Sequence, residues 1–381
     1  MVKILHIADV HLDSPFSLYD LEKAKARKED LRKTFSAVVD YSINEKVDIL
    51  IISGDLFDME FVTDSTIKYL VNEIKRAKNV RFIITPGNHD FYCAGGIYDK
   101  AELPENAFVF TKGEIERYSF DDIETDVYGF GFTSESHERD MLAYRFNLNK
   151  DHLNIFACHA DLGVKNSKYC PITTDDIAKS RFDYVALGHI HKGTGVAKEG
   201  KTLYAYPGCL EGRSFDECGT KGGIVLEFEK GRDTVMDTIW EPKVNYQRFN
   251  VRRYEKVDCD ITNVQTRNEA IKKIQQIVSD KGFDKNTLLR VTFSGVVSVN
   301  LDVEGFDIKS EEVGVYYLET KDNTIPMLNN EDLLMDITLK GVFYRELKAK
   351  LESKDEKERE LATKALKYGM EALSGYKSSD M

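Results

Sequence analysis

Val47-Asp-Ile-Leu-Ile-Ile-Ser-Gly-Asp55 is the stretch on which the reading of the fold turns. From Ile49 to Ile52 it is continuously apolar, which is the pattern of a strand buried on both faces in a parallel sheet. It stops at a Gly-Asp pair, which suits a turn. Upstream, Val2-Lys-Ile-Leu-His-Ile-Ala8 is a second strand candidate, separated from the first by a helical stretch around Lys23–Asn44. Downstream, Thr63–Lys78 reads as a helix and Val80-Arg-Phe-Ile-Ile-Thr85 as the next buried strand. Strand, helix, strand, helix, strand is the signature of α/β layering. Short apolar runs at Leu153–Cys158, Tyr184–Leu187, Thr202–Tyr206 and Gly223–Phe228 continue it. Residues 1–240 are therefore expected to form a two-layered sheet core with helices outside.

After Trp240-Glu-Pro-Lys243 the pattern changes. Residues 245–328 carry one strong helix candidate, Arg267–Lys281, flanked by strand-like runs at Leu288–Phe293 and Val313–Leu318, the size of a small α+β domain. Residues 330–381 look helical, with Leu333, Leu334, Ile337, Phe343, Leu347 and Leu351 at helical spacing. Two amphipathic helices either pack on their own domain or offer a face to a partner.

The chain has 381 residues, 42% hydrophobic and 31% charged, which fits a globular protein of two or three domains. Seven prolines and no low-complexity run exclude collagen-like and largely disordered classes. No stretch approaches 18 consecutive apolar residues, so a membrane-spanning helix is not expected. His6 and Asp9 come too early for a signal-peptide core. Six cysteines without CxxC pairs are then expected to be reduced, and the expected location is the cytoplasm. The net charge is −12, close to −10 of it in residues 1–240 and −2 in the remainder. That balance argues against strong autonomous nucleic-acid binding; if DNA is the substrate, a partner is expected to help hold it.

Chemistry concentrates in five turns, each directly after a strand candidate: Asp9-Val-His11, Gly54-Asp55, Gly87-Asn-His-Asp90, Cys158-His159 and Gly188-His-Ile-His191. Ligands bind at the carboxyl ends of strands in α/β sheets, so strands of a common sheet would bring these side chains to one rim. The carboxylate pair Asp9 and Asp55, one amide and five imidazoles without thiolate suit Mn²⁺, Fe²⁺ or Zn²⁺. The set exceeds one tetrahedral ion and suffices for two, which can clamp a phosphoryl group. Asp55, alone on the central strand, is the natural bridging carboxylate.

This ordered set resembles the calcineurin-like metallophosphoesterase superfamily. Ala8-Asp-Val-His-Leu-Asp-Ser-Pro-Phe16, Gly54-Asp-Leu-Phe-Asp58, Tyr206-Pro-Gly208 and Arg213-Ser-Phe215 resemble its SbcD-type DNA repair nucleases. The run His11–Phe16 and the segment Gly341-Val-Phe-Tyr-Arg345 most resemble the shorter YhaO-like bacterial branch. The resemblance implies a four-layer α/β/β/α sandwich with a small α+β cap and a C-terminal helical segment. It assigns Asp9, His11, Asp55 and His191 to one metal, and Asp55, Asn88, His159 and His189 to the other. His89 would assist departure of the leaving oxygen. Mn²⁺ is the expected metal, with Fe²⁺ or Zn²⁺ as substitutes. The implied activity is 3′→5′ exonuclease on duplex ends and single-strand endonuclease, by a two-metal mechanism with a bridging hydroxide. Implied partners are DNA, an SbcC- or YhaN-like coiled-coil ATPase on the C-terminal helices, and a second copy of the chain; no membrane is implied. A phosphoesterase for small substrates and a non-cutting scaffold subunit are the alternatives.

Asp58 would either orient His89 or cap the helix that follows, and Asp90 would support the site or close its turn. Asp13 reads as a turn residue and Cys158 as core. Arg213 either contacts a phosphate or is a surface residue. The pairs Arg252-Arg253 and Lys272-Lys273 read as solvated.

Overall fold

The computed structural model describes residues 1–17, 19–232, 238–298, 301–327 and 330–373. They fall into two compact units, Met1–Arg253 and Tyr254–Met381. The first unit begins β1 (Val2–Ile7), α1 (Leu21–Asn44), β2 (Ile49–Ser53), α2 (Asp64–Arg76), β3 (Arg81–Thr85), α3 (Ile97–Lys100) and β4 (Ala107–Val109). It continues β5 (Glu116–Phe120), β6 (Thr125–Gly129), β7 (Leu153–His159), β8 (Asp161–Leu162), β9 (Pro171–Ile172) and α4 (Thr174–Ser180). It ends β10 (Tyr184–Gly188), β11 (Ala197–Glu199), β12 (Thr202–Ala205), β13 (Gly222–Arg232) and β14 (Thr238–Arg248).

Two six-stranded sheets result, ordered β14-β13-β1-β2-β3-β4 and β11-β12-β10-β7-β6-β5. The inner strands run parallel in both: β1 beside β2 beside β3, and β6 beside β7 beside β10. Alternation along each strand decides where its side chains go. Ile4 of β1, Ile49 and Ile51 of β2 meet Ile155 and Ala157 of β7 and Tyr184 and Ala186 of β10 between the sheets. Leu50 and Ile52 point the other way, onto Leu31, Phe35 and Val38 of α1 and Leu70 and Ile74 of α2. Fully burying each such side chain contributes about 1.5–3 kcal/mol. Beyond the second sheet, Phe156, Val185 and Leu187 pack on Ile177 of α4, Phe182 and Met141. The order is thus helices, sheet, sheet, helix, as expected, with a fourth layer made of the seven-residue α4 and loops.

The strand β14 runs through the expected 240–245 junction. It pairs with β13 from Arg232↔Thr238 to Gly222↔Arg248, so the first sheet claims the chain as far as Arg248. Pro242 is tolerated there because β14 is an edge strand and one face needs no N–H.

The second unit contains β15 (Arg253–Asp260), α5 (Arg267–Asp280), β16 (Thr287–Ser294), β17 (Val296–Ser298), α6 (Ser310–Val313), β18 (Tyr317–Asp322) and β19 (Ile325–Met327). Ile271, Ile274 and Val278 of α5 pack against Val257, Leu289 and Val291 of the sheet β15-β16-β18. The run Val313–Leu318, expected as a strand, instead splits: α6 ends at Val313, capped by Gly314 with a φ of +77°, and β18 starts at Tyr317. The expected junction at 328/330 touches residues outside the described ones. Beyond it come α7 (Asn330–Met335), α8 (Leu339–Leu351) and α9 (Glu356–Leu373). Phe343, Tyr344 and Leu347 of α8 pack on Leu366 and Met370 of α9, whereas Ile337 is 94% exposed. Among the described residues no helix is long and apolar enough to cross a membrane.

Candidate metal centre

Because the inner strands are parallel, their carboxyl ends share one rim, and the five turns named from the sequence all emerge there. Four of the turn residues stand on left-handed backbone: Asp9 (φ 52°), His11 (49°), Asp55 (51°) and His189 (102°). Each costs about 1–3 kcal/mol for a side chain other than glycine, and persists only where the surroundings enforce it. Here the turns are stitched together: Asp9 N donates to Gly54 O at 3.1 Å, His11 N to Asp55 O at 3.0 Å and Leu12 N to Leu56 O at 2.9 Å. Two glycines let the sheets close on each other at this rim. A Cβ on Gly54 would stand 2.1 Å from His159 Nδ1, and one on Gly188 would stand 1.5 Å from the Ser53 carbonyl oxygen.

Among the described residues three groups of donors form, the third being His11, Asp58 and His89; the other two flank Asp55. In the first, His11 Nε2 and His191 Nε2 lie 3.3 Å apart and His191 Nε2 lies 3.6 Å from Asp9 Oδ1. In the second, His159 Nε2 lies 3.3 Å from Asp55 Oδ2, 3.0 Å from Asn88 Oδ1 and 3.1 Å from His189 Nδ1. Asp55 Oδ2 is also 3.8 Å from His11 Nε2, so this carboxylate stands between the groups. Metal–nitrogen bonds are about 2.0–2.1 Å, which puts donors at right angles about 3 Å apart, and the spacings match that.

The outward ring nitrogens are held as metal-binding imidazoles require. His11 Nδ1 meets Asp58 Oδ1 at 2.9 Å and His159 Nδ1 meets the Ser53 carbonyl oxygen at 3.1 Å. His191 Nδ1 meets Glu217 Oε1 at 2.7 Å, and His189 Nε2 lies 3.4 Å from Asp161 Oδ1. Neither Glu217 nor Asp161 was named from the sequence. Asp161 follows His159 by two residues, which was a usable signal; Glu217 reaches its imidazole from 26 positions away and had none.

His89 belongs to neither donor pair around Asp55. Its side chain is 50% exposed, its Nδ1 lies 3.0 Å from Asp58 Oδ1, and its backbone N donates to Asp55 Oδ1 at 2.9 Å. Asp58 thus touches two imidazoles and makes no side-chain cap on the short turn after it. Asp90 is buried and closes its own turn, accepting from Gly87 N at 2.7 Å, Leu56 N at 2.8 Å and the Tyr98 hydroxyl at 2.6 Å. Asp13 accepts from Thr63 N and from the Thr66 hydroxyl, tying the first turn to the start of α2. Arg213 lies behind the imidazoles, 18% exposed, with Nη2 3.2 Å from Glu217 Oε1 and Nη1 3.5 Å from Asp58 Oδ2. Arg252 pairs with Asp30 at 2.7 Å, and Cys158 is buried in the core behind the second sheet.

Electrostatics follow from this packing. Burial works most strongly on the Asp55 carboxylate and would raise it, but His159, His11 and His89 together outweigh burial and hold its pKa well below the usual range. In return burial would neutralise His159, yet Asp55, with Asp9 and the Ser53 carbonyl, outweighs it and raises the imidazole to about 9. His11 is pushed down by burial and by Arg213, and His189 by burial and by His159. His89 is raised, first by its hydrogen bond to Asp58. Burial, with Asp55 nearby, lifts Asp90 to about 6.

The chain is 30% identical over 288 residues to the metallophosphoesterase YhaO of Bacillus subtilis (strain 168), covering 72% of this chain and 67% of that one. It is 25% identical over 377 residues to the DNA double-strand break repair protein Mre11 of Sulfolobus acidocaldarius, covering 92% and 93%. To the SbcD component of the SbcCD nuclease of Staphylococcus saprophyticus it is 24% identical over 262 residues, covering 61% and 67%. The pattern of the calcineurin-like phosphoesterases matches residues 2–193. That match spans β1 through the His189 and His191 turn, the part of the molecule that builds the rim, and so the chain belongs to the calcineurin-like phosphoesterase family.

Proposed function

We propose that this chain is the nuclease subunit of a DNA repair complex, a hydrolase that shortens duplex ends 3′→5′ and cuts single strands. The observation that carries the reading is Asp55 Oδ2 standing between two His/carboxylate groups, with the half-exposed His89 held beside them. Asp9, His11, Asp55 and His191 would hold one divalent ion, and Asp55, Asn88, His159 and His189 the other. Mn²⁺ suits these mixed nitrogen and oxygen donors, ahead of Fe²⁺ or Zn²⁺. When bound, such a pair clamps phosphoryl oxygens and lowers the pKa of water.

The remaining work falls to side chains. Asp58 occupies His89 Nδ1, leaving Nε2 to give a proton to the departing sugar oxygen. The hydrogen bond to Asp58 raises the His89 pKa, which favours the protonated ring that gives up this proton. Two relatives carry names in double-strand break repair and in a two-component nuclease, which supports DNA as substrate and a second protein as partner. We assign that partner to the SbcC- or YhaN-like coiled-coil ATPases and its dock to α8 and α9, where Leu361 is 70% and Tyr368 57% exposed. The net charge of −12 fits a subunit that relies on its partner to hold DNA. A homodimer in the cytoplasm completes the proposal.

The test is cleavage of 3′- and 5′-labelled linear duplex DNA with Mn²⁺, Mg²⁺ or a chelator, beside His89→Ala and Asp55→Ala. Mn²⁺-dependent shortening from the 3′ end, lost in both variants, is the expected result. Hydrolysis of a small chromogenic diester without DNA cleavage would replace the reading with a general phosphoesterase, and inactivity on both with a scaffold.

A further inference from the structure

The donor groups differ in what stands behind them. In the second group, His159 leans on the neutral Ser53 carbonyl and His189 on Asp161 at a longer 3.4 Å. In the first, both imidazoles lean on carboxylates: His11 on Asp58 at 2.9 Å and His191 on Glu217 at 2.7 Å. One guanidinium joins these two carboxylates. Arg213 Nη1 lies 3.5 Å from Asp58 Oδ2 and from Ser14 Oγ, and Nη2 lies 3.2 Å from Glu217 Oε1 and 3.2 Å from His191 Nδ1. The loop is closed a second time by the backbone, since Arg213 N donates to Glu217 Oε2 at 2.7 Å.

We propose that Arg213 and Glu217 form a brace that positions the first ion's imidazoles, His11 and His191, together with His89, while the second ion's donors are set independently of it. The inference rests on the two-ion reading above and adds an asymmetry to it. Three imidazoles reach the brace through two carboxylates, because Asp58 Oδ1 touches His89 Nδ1 as well as His11 Nδ1. The planar guanidinium is suited to this because it presents donors in a fixed fork, whereas a lysine ammonium is a single point. Two carboxylates that share one guanidinium and lie largely out of water would repel without that cation. Arg213 does not touch the reacting atoms in this scheme; it is a positioning residue. His159, His189 and Asn88 hang from β7, β10 and the turn after β3, and their outward contacts run to Ser53 and Asp161 instead.

The experiment is Mn²⁺ titration of the full chain by calorimetry, with electron paramagnetic resonance of the loaded protein, for wild type, Arg213→Ala, Arg213→Lys, Glu217→Gln and, as the opposite control, Asp161→Asn. Wild type should bind two ions. Arg213→Ala and Glu217→Gln should weaken one binding step about 10- to 100-fold, the usual effect of removing an outer partner of a ligand. The other step should stay within about threefold, and the spin-coupled signal of the ion pair should give way to that of a single ion. Arg213→Lys should restore only part of the loss, and Asp161→Asn should weaken the complementary step. Unfolding of the chelated variants at the wild-type midpoint would show that the fold is intact. Equal weakening of both steps, or no weakening of either, overturns the brace. Fewer than two ions on wild type overturns the two-ion reading itself, which separates the two failures.

Discussion

Stability of the metal-free first unit should fall as pH rises from 6.5 to 9, and metal should reverse the slope. The cause is His159, fully buried against Asp55 and raised from 6.5 to about 9. A raised histidine contributes stability that is fully present below the unfolded pKa and is lost as pH climbs through the folded one. Two and a half pH units at 1.36 kcal/mol each give about 3 kcal/mol. Asp55 does not blur the window, because its depressed pKa leaves it ionised throughout. A bound ion needs the neutral ring, so it competes with the same proton, and its stabilisation grows with pH over the same range. The sole tryptophan, Trp240, is buried in β14 and reports on this unit. Urea unfolding followed by its fluorescence, in chelator from pH 6 to 9.5, should show the fall in wild type against His159→Asn, where other titrating groups cancel. Equal pH dependence in the two proteins would refute the buried ion pair.

Other expectations follow from single contacts. Gly188→Ala should destabilise the first unit by about 3 kcal/mol or more, because its Cβ meets backbone of the facing sheet and no side chain can yield; a urea midpoint read at Trp240 checks this. Asp58→Asn should keep an acceptor for His89 Nδ1 but remove the carboxylate charge that raises His89, so the alkaline limb of kcat against pH moves to lower pH while turnover drops about 10- to 100-fold. A limb that stays in place would mean that His89 is not the proton donor. Leu361→Glu combined with Tyr368→Ala should abolish co-purification with the ATPase partner and leave hydrolysis of a small diester unchanged.

Much of the first unit was legible because its information is local. Continuous apolar runs mark inner parallel strands, and a turn directly after each marks the rim, so Asp9, His11, Asp55, Asn88, His89, His159, His189 and His191 could be named without coordinates. What escaped depends on distant pairing. The pattern changes after Trp240-Glu-Pro-Lys243, but the chain stays in the first sheet as far as Arg248, which only its pairing with β13 reveals. Val313–Leu318 is apolar enough for a strand, but Gly314 in left-handed conformation divides it. Glu217 looks like any loop glutamate; only the return of its loop to His191 gives it a role. Asp58 and Asp90 read alike in the sequence and both are buried; their partners separate them, one touching imidazoles and the other backbone N–H groups.

The rim is assembled from both sheets, and its partners are far apart along the chain: His189 N donates to Asp9 Oδ1 across 180 positions. A growing polypeptide presents Asp9, His11 and Asp55 early, yet His189 and His191 arrive only when half the chain has been made. Until then β2 has no β10 to face, and the strained turns have nothing to enforce them. Completion of both donor sets therefore waits until β10 has joined the second sheet, and a nascent chain halted before residue 188 would carry Asp9, His11, Asp55, Asn88 and His159 but lack one imidazole for each ion.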